Sequence, residues 1–259
     1  MTSPPRSSGR FVVVTGGSRG IGREVLARCV ALGDDVLALG RDRDALDALT
    51  ADAAGWGPGT LRVDACDVSV EADVERCFGP LSAVDVLVNN AGISESAPLH
   101  RTTLASWERQ MAVNATGAFL PTRAVIAGMR ERGTGRIVTV ASTAARIGAP
   151  YTAAYAASKH AAVGLMRVAA AELAGSGATA NAVCPTFVDT EMTQRSVARI
   201  AQRTGRSAAD SLAALAATAP LGRLVTPEEV ADAVLWLASD AAGTINGQTM
   251  ILDGGGIQA

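Results

Sequence analysis

Histidine is nearly absent from this chain of 259 residues, which holds only His100 and His160. Neither has a second plausible ligand nearby in sequence, so a histidine-based metal site or a Ser-His-Asp hydrolase has little to work with, and no metal is expected. Cysteine is also sparse. Cys29, Cys66, Cys77 and Cys184 show no CxxC spacing, and most fall in apolar segments where a thiol packs as a small hydrophobe. Neither sign of charge dominates. The 23 basic and 25 acidic side chains are interspersed, and a formal charge of −2 gives no electrostatic case for nucleic acid. No uncharged apolar stretch is long enough to span a bilayer, and no basic region followed by an apolar run opens the chain. The expectation is a cytoplasmic protein with reduced thiols and no membrane contact. Linkers of biased composition and internal repeats are missing too. That leaves one domain, 11–259, behind a short polar tail, 1–10, expected to be disordered.

What is present is apolar and regular. With 48% hydrophobic residues the chain can bury a sizeable core. Runs rich in valine, leucine and isoleucine recur near 11–15, 35–40, 60–66, 84–89, 135–141, 178–184 and 248–252. Alanine- and leucine-rich helical patterns lie between them, near 20–32, 42–54, 70–81, 103–131, 153–175 and 226–239. Strands apolar on both faces and alternating with helices predict an α/β fold, a doubly wound, seven-stranded parallel sheet of Rossmann type. The stretch 187–225 breaks this rhythm. Helical periodicity over 191–219 predicts one or two helices in a lid over the substrate.

Two features carry chemistry. After the first strand comes Thr15-Gly16-Gly17-Ser18-Arg19-Gly20-Ile21-Gly22, followed by Ile21, Val25, Cys29 and Leu32 at helical spacing. A strand, a glycine-rich turn and a helix in that order suit a pyrophosphate, because small residues let the backbone approach and the helix N-terminus offers free N–H groups. Far along the chain, Tyr155 and Lys159 stand four residues apart, on one face of a helix. An ammonium beside a phenol favours phenolate, drawing the tyrosine toward proton exchange near neutral pH.

Together with Asp67-Val68, Asn89-Asn90-Ala91-Gly92, Asn114, Ser142 and Asn181-Ala182-Val183-Cys184-Pro185, these motifs resemble the short-chain dehydrogenase/reductases over essentially the whole chain. The resemblance implies that Tyr155 is the general acid/base and that Ser142 donates to the substrate oxygen. Lys159 would lower the tyrosine pKa and bond the nicotinamide ribose, while Asn114 would hold a water linking Lys159 to solvent. It further implies cofactor contacts at Gly16, Ser18, Arg19, Gly20, Ile21, Gly22, Val68, Ala91, Gly92, Pro185 and Val188. Asp67 would hold the adenine edge, Asn90 would lie near the adenine ribose, and Thr190 would meet the carboxamide. One departure is Thr186, where the family commonly has glycine after proline. That substitution is expected to restrict the backbone beside the nicotinamide.

NAD-specific relatives usually carry an acidic residue at the end of strand two. Here Gly40 takes that position and Arg41 follows, with Arg19 able to approach a phosphate from the other side, so NADP(H) is favoured. Asp42 could bond a ribose hydroxyl and keeps NAD(H) open. For substrate, Arg195, Arg199, Arg203 and Arg206 fall at helical spacing in the lid. They are either a solvated face or an anchor for coenzyme A, phosphopantetheine or an acidic carrier protein. Segments such as 132–138 and 181–185 look like ketoreductases acting on β-ketoacyl or polyketide thioesters. The leading expectation is an NADPH-dependent ketoreductase of such a small-molecule ketone. An NAD-dependent dehydrogenase of a free secondary or cyclic alcohol is the alternative, and a non-catalytic nucleotide-binding module comes third. Family likeness also implies a homotetramer joined through the helices at 103–131 and 153–175.

Overall fold

The computed structural model describes residues 9–258. Its centre is one parallel sheet of seven strands in the order β3-β2-β1-β4-β5-β6-β7. The strands are β1 (Phe11–Thr15), β2 (Asp35–Gly40), β3 (Thr60–Ala65), β4 (Val86–Asn89), β5 (Arg136–Val140), β6 (Thr179–Pro185) and β7 (Thr249–Leu252). Each falls on a predicted apolar run, within two residues at either end.

Alternation along β1 divides the core. Val12 and Val14 point to one side of the sheet, where they pack with Val25 and Leu26 of α1 (Gly20–Ala31), Leu46 of α2 (Arg43–Asp52) and Val234 of α9 (Pro227–Leu237). Val13 points to the other. There it meets Val74 of α3 (Glu71–Phe78), Met129 of α5 (Gly117–Arg132) and Met166 of α6 (Ala153–Leu173). Full burial of such side chains contributes about 1.5–3 kcal/mol each, so both faces of the sheet must be covered. The N-terminus of α9 is fixed by a capping box between Thr226 and Glu229, with Pro227 in its first turn.

Because the strand order reverses between β1 and β4, the loops leaving these strands part and open a crevice at their C-terminal ends. The helix predicted over 103–131 is not continuous. It consists of α4 (Leu104–Met111), a π-helical turn (Ala112–Thr116) and α5. A single widened turn leaves apolar periodicity almost untouched, so composition could not reveal it; such turns cluster at functional sites.

The stretch 187–225, expected to be a lid, contains α7 (Glu191–Thr204) and α8 (Ala208–Ala216). Its two ends are stitched together at the base. Val225 N donates to Phe187 O at 3.0 Å, and Asp189 N donates to Val225 O at 2.9 Å. Most of the predicted tail, residues 1–8, lies outside the described residues. Arg10 does not belong to a tail: its guanidinium pairs with Asp34 at 2.7 Å and donates to Ala238 O at 2.9 Å. All four cysteines are free and buried, and burial pushes the Cys29 thiol up to about 12. Among the described residues, no helix is long and apolar enough to cross a membrane.

Candidate active site

A cavity of about 1370 Å³ lies beyond the C-terminal ends of the strands. Every predicted site residue lines it except Gly22 and Asn114, which stand behind its wall.

At the β1 end the backbone of the glycine turn makes close approaches that leave no room for side chains at Gly16 and Gly22. Gly16 has φ +66°, and a Cβ there would sit 2.8 Å from the Cα of Ala91; at Gly22 it would meet the Gly16 carbonyl at 2.4 Å. Only glycine fits either place. Arg19, at the N-cap of α1, makes no side-chain cap bond, and no acidic residue stands in the first turn. The free N–H groups and the positive end of the helix dipole are therefore available to an anion. This cradle fits a dinucleotide pyrophosphate.

Asn90 lines the cavity and also holds the turn. Its Nδ2 donates to Thr15 O at 3.0 Å and Gly16 O at 2.9 Å, so the amide nitrogen pins the turn. Thr15, the first residue of the glycine-rich motif, completes the joint. Its hydroxyl accepts from Asn90 N and Ala91 N, each at 3.1 Å.

At the β2 and β3 ends, Asp67 Oδ1 accepts from Ser69 N and Oγ, and Oδ2 lies 3.7 Å from Arg41 Nη1. Burial pushes the Asp67 carboxyl up, but the Ser69 hydrogen bonds and Arg41 together outweigh it and hold the group below the ordinary range. Asp42 caps α2, accepting from Ala45 N at 3.1 Å. Its carboxylate is thereby engaged, which weakens the argument that it serves a ribose hydroxyl. Thr186, the departure after Pro185, is not among the residues with positive φ, so its conformation does not itself require glycine.

The catalytic candidates converge between β5 and α6. Ser142 Oγ accepts from Ala144 N at 3.1 Å, which leaves its own proton free to donate. Burial pushes the Tyr155 phenol above its ordinary value, and the Ser142 hydroxyl pulls it back only in part. That direction corrects the expectation of a lowered phenol. Lys159 is 5% exposed, donates to Val140 O at 2.9 Å and has Nζ 5.9 Å from the Tyr155 ring centre. Burial lowers its pKa to about 8, so it is still largely charged at neutral pH, yet desolvation dominates at the phenol.

Asn114, in the π-helical turn, is 2% exposed. Its Oδ1 accepts from Ile93 N at 2.8 Å, and its Nδ2 donates to Ile93 O and to Ser158 Oγ, both at 2.9 Å. Ser158 in turn donates to Tyr155 O at 2.8 Å. Asn114 thus clamps the loop after β4 onto the helix bearing Tyr155 and Lys159. A Cβ on Gly92 would fall 3.2 Å from Asn114 Oδ1 and 3.4 Å from Lys159 Nζ. The bare Cα therefore keeps a small space between these two polar atoms, and a water there would join them.

The arginine stripe of the lid does not act as one surface. Arg195 pairs with Glu191 at 3.4 Å, as Arg19 does at 3.2 Å. Arg199 lines the cavity, Arg203 donates to Ser96 O, and Arg206 lies beyond Gly205, the left-handed residue that ends α7. Sequence reasoning also missed Tyr151, which has φ +69° and is 62% exposed at the cavity rim. No local signal marks such a residue.

A family model described as Enoyl-(Acyl carrier protein) reductase matches residues 16–256. The chain is 36% identical over 256 residues to the D-threitol dehydrogenase of Mycolicibacterium smegmatis, covering 96% of this chain and 94% of that one. It is 36% identical over 248 residues to the acetoacetyl-CoA reductase of Rhizobium meliloti, covering 95% and 98%. A crystal structure of an actinorhodin polyketide ketoreductase variant with NADPH superposes with a TM-score of 0.91 at 33% identity, covering 95% of this chain and 97% of that one.

Proposed function

Because the chain belongs to the short-chain dehydrogenase/reductases, oxidoreductases that act on CH–OH and C=O groups, we propose that it is an NADPH-dependent ketoreductase. The observation that carries the reading is the meeting of Tyr155, Lys159 and Ser142 in one cavity with the glycine turn. When bound, the nicotinamide supplies the hydride. Ser142 donates a hydrogen bond to the carbonyl oxygen and stabilises the charge developing there. Tyr155 gives that oxygen its proton, and Lys159 below its pKa stabilises the phenolate left behind. Asn114 and Gly92 keep room for a water through which Lys159 exchanges protons with solvent.

A phenol pushed above its ordinary pKa keeps its proton at neutral pH and can give it to the carbonyl oxygen, while the preference for reduction rests on the cofactor. The preference for NADP(H) rests on Arg41 in the cavity wall, Gly40 where an acidic residue would stand, and the engagement of Asp42 as a helix cap. Asp67, Val68, Ala91, Pro185, Val188 and Thr190 form the remaining walls of the cofactor cleft.

For substrate we favour a β-ketoacyl or polyketide thioester, supported by similarity to an acetoacetyl-CoA reductase and a polyketide ketoreductase. NAD-dependent oxidation of a free secondary alcohol is the second reading, supported by the likeness to a D-threitol dehydrogenase. A cytoplasmic homotetramer belongs to the same proposal. Leu104, Trp107 and Phe119 on α4 and α5 and Val168 on α6 leave apolar surface exposed for a partner subunit.

Purified protein assayed with NADPH and NADH against an acetoacetyl thioester, a bicyclic diketone and simple secondary alcohols tests the reading. Reduction of the thioester with NADPH is expected. Turnover confined to alcohols with NAD would replace it by the second reading.

A further inference from the structure

Beside the main cavity lies a second one of about 300 Å³. The two share Glu95, Arg109, Tyr151 and Arg199 in their walls, so they are neighbouring chambers rather than separate clefts. Arg101 and Arg203 line the smaller chamber alone. Four guanidinium groups and one carboxylate thus line it, in a chain whose formal charge is −2.

The carboxylate does not neutralise this cluster; it organises it. Glu95 takes bonds from Arg109 Nε and Nη2 at 2.8–3.1 Å and from Ser106 Oγ at 2.6 Å. Arg109 first, then Ser106, holds its carboxyl below the usual range, so it remains an anion that orients Arg109. Gln110, 1% exposed, fixes the same loop by accepting from Glu95 N at 3.1 Å and donating to Glu95 O at 3.3 Å. Ala97 N donates to Tyr151 O at 2.9 Å, tying that wall to the segment before α6.

Arg199 is half-buried and lies within electrostatic reach of Glu95, which it helps to hold ionised, but no hydrogen bond or close ion pair fixes its fork among the described residues. Arg203 has only Ser96 O, at 3.4 Å. Glu95 gives its direct bonds to Arg109, so the donors of Arg199 are left without a direct acceptor, and planar forks of this kind suit a carboxylate or phosphate. Resting on the ketoreductase reading, we propose that this annex is an anion subsite: it takes an oxyanion at the far end of the substrate while the ketone lies at Tyr155. The enzyme's substrates are then ketones that carry a carboxylate or phosphate group, and Arg199, shared by both chambers, is the residue that selects them.

Three substrates separate the sources of charge: acetoacetyl-CoA for phosphate, acetoacetate for carboxylate, and the neutral acetoacetyl thioester of N-acetylcysteamine. Wild-type kcat/KM is expected to be at least tenfold higher for one anionic substrate than for the neutral one. In Arg199→Gln that ratio falls about tenfold, through KM, while Arg199→Lys keeps most of it. A ratio unaltered in Arg199→Gln, or equal use of all three by the wild type, overturns the subsite and leaves the ketoreductase intact. Should no ketone be reduced, calorimetry with adenosine 3′,5′-bisphosphate and with succinate still decides the matter. Binding of one of them that is weakened tenfold in Arg199→Gln upholds the annex, and no binding, or binding indifferent to the variant, refutes it.

Discussion

Arg41 Nη1 lies 3.7 Å from Asp67 Oδ2, joining the ends of β2 and β3 across the edge of the cofactor cleft. The pair is loose and Arg41 is 59% exposed, so the guanidinium is free to turn toward a 2′-phosphate without breaking a strong bond. Arg41→Ala is expected to raise the KM for NADPH roughly tenfold to a hundredfold and leave that for NADH nearly unchanged, since charge-assisted bonds contribute about 1.5–3 kcal/mol. Steady-state kinetics with both cofactors checks this. An unchanged KM for NADPH removes the assignment.

Gly92→Ala tests the space between Asn114 and Lys159. The new Cβ, 3.2 Å from Oδ1 and 3.4 Å from Nζ, would crowd both atoms and displace a bridging water. We expect kcat to fall about tenfold or more with little change in KM for NADPH, the signature of disturbed proton transfer rather than binding. A loss confined to KM would locate the effect in cofactor binding instead.

The pH dependence follows from Lys159. It is charged below about 8 and loses its proton as pH rises through that value, removing support for the phenolate that forms on Tyr155 during reduction. The rate of ketone reduction, as kcat/KM, should therefore be level near neutrality and decline on the alkaline side of about 8. A profile that keeps rising to about pH 10 would show that Lys159 is not coupled to the proton donor.

The same burial bears on stability. The pKa of Lys159 falls from 10.5 to about 8 on folding, so between these values the unfolded chain binds the proton that the folded one has lost. Its contribution therefore destabilises fully below about pH 8 and fades as pH rises toward 10.5. Lys159→Met is expected to stabilise the protein at pH 7 by roughly 2 kcal/mol, after allowing for the lost bond to Val140 O, while abolishing activity. Its advantage in Tm should shrink by about pH 10; an advantage constant with pH would point to packing alone.

Much of this was legible in the chain, for identifiable reasons. Val12, Val13 and Val14 face both covered sides of the sheet, and such doubly buried strands leave unbroken apolar runs. The glycines at 16 and 22 were readable because the backbone leaves no room for a Cβ. Less visible were features made by contact between distant segments. Asn90 pinning the glycine turn, the π-helical turn at Asn114 and the clamp through Ser158 depend on tertiary neighbours. The phenol moved opposite to expectation because four-residue spacing reports the lysine charge and says nothing of desolvation. The arginine stripe dissolved because Glu191 and Ser96 claim its members one by one.

The most direct test of the account is single and simple: Tyr155→Phe assayed with NADPH and a ketone the wild type reduces, beside its affinity for NADPH. Loss of the phenolic proton should lower kcat/KM by about 100- to 10,000-fold and leave cofactor affinity within about twofold. A variant that binds NADPH and keeps more than about a tenth of wild-type activity would contradict Tyr155 as the proton donor, and with it the reading of this cavity.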